Sequence, residues 1–317
     1  MPTMRKVAVN GFGRMGRLTA RILLLRGEEL GMELVHVNEK LGNAEMAAYL
    51  LEFDTTHGRF PLPVSFEGPR ALLVNNKHKI IFSNEPNPAA IAWSDEIDLI
   101  FECTGAILTL DKLNLHFHAN AKPTLRVVVS APVDDDKVLN VVMGCNDHLV
   151  TSSMQICTAA SCTTNCAAPV KRLAAGRSGA SNLSPTTTGS SQAITMIYPH
   201  LKGKLNGLAI RVPVQNASLT DLVLVVKRPV AVNEVNSVLQ AASDKNPGVL
   251  GVEHRHLVST DYANDSRSSI VDAPSTQVVN GRMIKILAWY DNEWGYVNRM
   301  VDLAQLMLNK ANAASKL

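Results

Sequence analysis

The chain carries almost no net charge: 31 Lys and Arg against 28 Asp and Glu leave +3 over 317 residues. Nothing in that balance draws it to nucleic acid or to an anionic membrane. It lacks any run of about 18 uninterrupted apolar residues, so no transmembrane helix is expected. The first residues, MPTMRKVAVNGFG, enter a strand-like run at once, so no cleaved signal peptide is expected. Cysteines are few and odd in number, at 103, 145, 157, 162 and 166. A chain of this size needs no disulfide staples, and a reducing, cytoplasmic setting is expected. Cys162 and Cys166 have no Cys or His pair nearby, which speaks against a metal site. Internal repeats and low-complexity linkers are absent. What remains, 46% hydrophobic and 19% charged residues, is an ordinary soluble composition with length for about two domains.

The first half alternates short apolar runs with helical patterns. KVAVN is a strand, followed by a glycine-rich turn that opens a helix, in which Leu18, Ile22 and Leu25 fall at helical spacing and should face a sheet. ELVHVNEK reads as the next strand, AEMAAYLLEF as a helix, and FDTTHGRFPLPV as an irregular loop. IDLIFECTG, RVVVSAP and LNVVMG read as further strands. The pattern predicts an α/β fold, a doubly wound parallel sheet covered on both faces. From about Ser161 the texture changes. SLTDLVLVVK alternates as a strand, AVNEVNSVLQAAS is amphipathic, and Asn280-Gly281 marks a hairpin turn. This half predicts an α+β domain with a mostly antiparallel sheet, closed by a helix in NEWGYVNRMVDLAQLMLNKANAA.

Gly11, Gly13 and Gly16 form G-x-G-x-x-G between a strand and a helix. The first glycine permits the turn, the second lets backbone approach a pyrophosphate, and the third allows tight helix–strand packing. The helix N-terminus offers unpaired N–H groups to phosphate. Glu39 ends the second strand 23 residues after Gly16. A carboxylate there accepts from ribose hydroxyls and repels a 2′-phosphate, favouring NAD over NADP. A glycine turn made for packing alone is the alternative.

Cys162 sits just inside an expected helix, SCTTNCAAPVKRLAA, with Ser161 as N-cap and Thr163 and Thr164 in the first turn. A thiol there feels the positive helix end, which raises its thiolate fraction. N–H and hydroxyl donors at the same place suit an oxyanion or a phosphate. Cys166, one turn on, reads as structural. TTTG, Thr186 to Gly189, resembles a second helix N-terminus able to bind an anion. Arg211 is a charge inside the apolar run LAIRVP, and either a substrate phosphate or an internal salt bridge would satisfy it.

VNGFGRMGR, FDTTHGRF, ECTG, VVVSAP, ASCTTNCAAPV, PTTTG, LKGKLNGLAIRVP and WYDNEWGYVNRM together resemble the signatures of the glyceraldehyde-3-phosphate dehydrogenase family, in its order. The resemblance implies a Rossmann NAD domain over residues 1–160 and 299–317, a catalytic domain over 161–298, and a homotetramer. It implies that Cys162 attacks an aldehyde, that hydride passes to NAD, and that inorganic phosphate releases an acyl phosphate from the resulting thioester. Ser161, Thr163, Thr188 and Gly189 would bind the attacking phosphate, and Arg211 the phosphate of the substrate, a phosphorylated aldehyde. Asn10, Gly11, Phe12, Gly13, Arg14, Met15, Glu39, Thr104, Gly105 and Ser130 would hold NAD. Asn292 would orient the nicotinamide carboxamide with Tyr296 beside it. VNEKLGNAEMAAYLLEFDTTHGRF and STDYANDSRSSIVDAPSTQVV look closer to branches that act in arsenate detoxification or on erythrose 4-phosphate. Arsenate would use the same anion site.

In one place the chain departs from the family. The catalytic histidine should lie between the cysteine helix and PTTTG, on a strand after that helix. Here Cys162 and Thr188 are only 26 positions apart, and roughly thirty residues are absent at the junction of Ala175 and Gly176. His57, His148, His200, His254 and His256 have no claim to replace the missing base. Either the protein carries a segment that this sequence omits, or it is truly shortened. A shortened catalytic sheet would lack an interior strand and leave backbone unpaired.

Overall fold

The computed structural model describes residues 4–93, 97–118, 124–160, 183–187, 194–195 and 197–314. The chain divides into two compact units, Met1–Ser161 with Arg299–Leu317, and Cys162–Asn298.

The first unit is built on a nine-stranded sheet in the order β3-β4-β5-β2-β1-β6-β7-β9-β8. Strand β1 is Arg5–Asn10, β2 Met32–Asn38, β3 Val64–Phe66, β4 Ala71–Val74, β5 His78–Ser83, β6 Ile97–Glu102, β7 Arg126–Val129, β8 Leu139–Asn140 and β9 Ile156–Thr158. Helix α1 is Arg14–Leu30, α2 Ala44–Glu52 and α3 Leu110–His118. The central pairs β2–β1, β1–β6, β6–β7 and β7–β9 are parallel, as the buried apolar runs require. β3–β4 and β4–β5 are antiparallel, so the sheet is mixed at that edge rather than parallel throughout. LNVVMG yields only the two-residue β8, while ICT, with no periodicity to announce it, forms β9.

Helix α1 begins where the glycine turn frees its N–H groups and stops at Gly31, a left-handed C-cap at φ 66°. Leu18 and Ile22 are fully buried; Leu25, expected on the same face, is exposed. Ala8, Ile100, Val127, Val129 and Leu113 form part of one continuous core, and each buried Ile or Leu contributes about 2 kcal/mol.

In the second unit β10, Ser184–Thr187, pairs among the described residues with β11 alone, Leu208–Arg211. A separate sheet runs β12 (Ser218–Val225), β16 (Met283–Tyr290), β14 (Ser269–Asp272), β13 (Leu250–Glu253), with β15 (Gln277–Val279) paired to β16. All its pairs but β13–β14 are antiparallel. Asn280 and Gly281, at φ 49° and 69°, turn β15 into β16 as the sequence predicts. Helix α4, Val232–Lys245, packs Val235 against Val271, Ile284 and Ile286. Helix α5 is Trp294–Ala314, and from Arg299 onward it belongs to the first unit, where Gln305 donates to the Leu30 carbonyl. Among the described residues no helix is long and apolar enough to cross a membrane.

Candidate functional site

The sheet order places β2 on one side of β1 and β6 on the other, so the chain reverses direction at β1. In parallel α/β sheets that reversal opens a crevice at the carboxyl ends of the strands. Asn10, the Gly11 turn, Glu39, Thr104, Gly105 and Ser130 all lie at those ends.

Each glycine of the motif has its own constraint. Gly11 adopts φ 91°, and a Cβ on it would lie 2.6 Å from the Thr104 nitrogen. A Cβ on Gly16 would lie 2.0 Å from the Gly11 carbonyl oxygen, so only glycine lets α1 approach β1 this closely. A Cβ on Gly13 would meet nothing within 4 Å. Gly13 is also the N-cap of α1 and offers no side chain to the first-turn N–H groups. Open space in front of uncapped amides is what a pyrophosphate needs, so the turn fits a dinucleotide.

Glu39 directly follows β2, and its Oε2 accepts from the Phe12 N–H at 2.7 Å. The carboxylate therefore sits beside the glycine turn. Arg14 is ion-paired with Asp54 of the FDTTHGRF loop. Burial raises the Asp54 pKa, but the N–H groups of His57 and Thr56 and the Arg14 charge outweigh it and hold the carboxyl below its usual range. Arg21 donates to the carbonyls of Leu51, Glu52 and Gly58 and ties that loop to α1. Met15 is half-buried in the first turn.

In the second unit Asn292 and Tyr296 are set by a residue that the sequence reading passed over. Asp291 is 1% exposed. One of its oxygens accepts from the N–H groups of Glu293 and Trp294 at the start of α5, the other from Asn216 Nδ2 and the Asn264 N–H. Asn292 Oδ1 accepts from Ser218 at 3.1 Å, and Tyr296 is buried.

Arg211 is exposed at the end of β11 and has no ion-pair partner among the described residues. Thr186 belongs to strand β10, not to a helix N-terminus, because its backbone pairs with Ala209. The register sets Arg211 opposite Ser184, at the end of the pair away from Thr187. Ser161, Cys162, Thr163, Cys166, Thr188 and Gly189 lie outside the described residues. Burial pushes the Cys103 thiol up, and that of Cys157 up to about 12, so neither is a thiolate at neutral pH. His148, His200, His254 and His256 are exposed. Among the described residues no His, Cys, Asp and Glu cluster could hold a metal.

The model for the family's NAD binding domain matches residues 5–110, and that for its C-terminal domain matches residues 168–292. A glyceraldehyde-3-phosphate dehydrogenase 3 of a Nostoc species is 46% identical over 95% of this chain and 97% of its own. The chain belongs to the glyceraldehyde-3-phosphate dehydrogenase family. Its cofactor is NAD. The family's enzymes from Zymomonas mobilis and Bacillus subtilis (the latter named glyceraldehyde-3-phosphate dehydrogenase 2) are each 39% identical, over 95% and 94% of this chain and 98% and 95% of theirs. The Nostoc alignment runs over 336 positions, more than this chain's 317 residues. It covers 95% of the chain, about 301 residues, so about 35 aligned positions have no counterpart here. The Zymomonas alignment, 337 positions over the same share, repeats the deficit.

Proposed function

We propose that this chain is a phosphorylating, NAD-dependent dehydrogenase of glyceraldehyde 3-phosphate. The observation that carries the reading is ASCTTNC at residues 160–166 in a chain whose first unit presents a dinucleotide turn. The Cys162 thiolate adds to the aldehyde carbon and forms a thiohemiacetal. Bound NAD would supply the acceptor for the hydride of this carbon. The hydroxyl proton passes at the same step to the base borne by the segment that this sequence lacks, and a thioester remains on Sγ. An oxygen of inorganic phosphate then attacks the acyl carbon, the C–S bond breaks, and the thiolate is restored. Ser161, Thr163, Thr188 and Gly189 hold the attacking phosphate, and Arg211, exposed and without an ion-pair partner among the described residues, holds the phosphate of the substrate. Asn10, Gly11, Phe12, Gly13, Arg14, Met15, Glu39, Thr104, Gly105 and Ser130 would hold the cofactor, and Asn292 and Tyr296 would serve its nicotinamide. The working form is a homotetramer.

The deficit of about 35 positions supports a second reading. A chain without the base-bearing segment keeps the cofactor site and loses hydride transfer by about 10²–10⁴-fold. One preparation tests both readings. An intact mass of 34.3 kDa establishes a truly shortened protein, whereas a mass 3–4 kDa larger, at about 110 Da per residue, restores the segment and the enzyme. The fuller chain should give a burst of NADH on adding glyceraldehyde 3-phosphate, abolished by Cys162→Ser. The absence of a burst from that chain defeats the enzymatic reading.

A further inference from the structure

Beneath the two cofactor turns runs a hydrogen-bonded chain of buried side chains. Glu102, the last residue of β6, is 1% exposed. Its Oε1 accepts from the Thr104 N–H at 2.9 Å and from the Thr104 hydroxyl. Its Oε2 accepts from Asn10 Nδ2 at 2.7 Å and meets His116 Nε2 of α3 at 2.9 Å. His116 is 0% exposed. Asn10 Oδ1 in turn accepts from Asn38 Nδ2 at 2.8 Å, and Asn38 Oδ1 accepts from the Ser83 hydroxyl.

A buried carboxylate is an expensive way to hold a sheet together. β1, β2 and β6 do not need it, since their ladders and the apolar core already fix them. Among the described residues, three of the four hydrogen bonds of the Glu102 carboxylate go instead to Asn10 and Thr104, at the two turns. The turns are in contact there, since a Cβ on Gly11 would lie 2.6 Å from the Thr104 nitrogen.

We propose that Glu102 is a positioning residue for NAD. Its carboxylate, held also by His116 of α3, fixes Asn10 and Thr104, so the turns after β1 and β6 present one preformed surface to the cofactor. Preorganisation of this kind strengthens binding by removing the ordering cost at the moment of association. The inference rests on the assignment of those turns to the cofactor.

Glu102→Gln tests it. The amide keeps the shape but replaces one acceptor with a donor. In either orientation its NH₂ then faces Thr104 or faces the Asn10 and His116 donors, and one turn is released. Calorimetric titration with NAD should show at least tenfold weaker binding to the folded variant. A purely structural role would lower the melting temperature and leave the affinity of the folded protein unchanged, and that result overturns the proposal. If Glu102→Gln does not fold, His116→Leu removes the support from α3 and leaves the residues of both turns unchanged. It should weaken NAD several-fold, and unchanged affinity is again fatal. Gly13→Ala serves as the control for the site itself. If it binds NAD like the unaltered protein, the assignment of the turn fails and the proposal falls with it. If it alone weakens binding, the site stands and only the role of Glu102 is lost.

Discussion

Gly13 and Gly16 stand three residues apart in one motif and answer to different demands. At Gly16 a methyl group would collide with backbone at 2.0 Å, and backbone cannot step aside cheaply. Gly16→Ala should therefore destabilise the protein by about 3 kcal/mol or prevent folding. At Gly13 the space is open and the backbone is extended, at φ −70° and ψ −159°, a conformation that alanine adopts. Gly13→Ala should leave the melting temperature within about 1 °C, because surface changes of this kind stay near ±0.5 kcal/mol. Its effect should fall on NAD affinity, through a methyl group in the space a pyrophosphate would fill. Thermal melts and NAD titrations of the two variants separate packing from binding.

Strand β12 is unusual among the elements. Among the described strands it pairs with β16 alone. Leu219, Val223, Leu224 and Val225 are all exposed along it, although alternation in SLTDLVLV predicts one buried face. Leu208 and Ile210 of β11 are exposed as well. Among the described residues β10–β11 and the five-stranded sheet are separate, and both leave apolar residues exposed. Bare apolar edges pair with other chains. Val223→Lys with Val225→Lys should reduce light scattering in concentrated solution and leave the melting temperature within about 1 °C. A marked loss of stability instead would mean that these valines are covered in solution. Asp291 shows the opposite economy: one buried carboxylate starts α5, holds Asn216 and Asn264, and so fixes the segment that carries Asn292 and Tyr296.

At the scale of the molecule, acid should act on the first unit through His36. Burial lowers its pKa to about 4, and the ring packs edge-on against Trp93 with centroids 4.7 Å apart. The unfolded chain takes up this proton near pH 6.5, and the folded chain does not until about pH 4. Stability is therefore full above pH 6.5 and falls as the pH drops from there toward 4, by roughly 3 kcal/mol in total. Urea unfolding at pH 7.5, 6 and 5 should show this slope, and His36→Gln should flatten it. An equal slope in the variant would place the acid sensitivity elsewhere.

The sequence by itself determined what depends on neighbours in the chain. The spacing of Gly11, Gly13 and Gly16, the carboxylate of Glu39 after β2, the Asn280-Gly281 turn and the hydroxyl-flanked Cys162 are all local patterns, and a local pattern carries its own physical reason. The buried runs of β1, β6 and β7 were legible for the same cause. Only the tertiary structure decided which distant groups meet. Asn10 and Glu102 lie 92 positions apart, and nothing around either announces a partner. β9 joins the sheet through a neighbour, not through its own pattern, and Thr186 lies in a strand because Ala209 pairs with it. Arg14 finds Asp54 because Arg21 draws that loop onto α1. Such pairs are chosen by the order of strands and the register between them, which are properties of the assembled sheet. A buried carboxylate therefore reads, in the sequence, as an ordinary strand end.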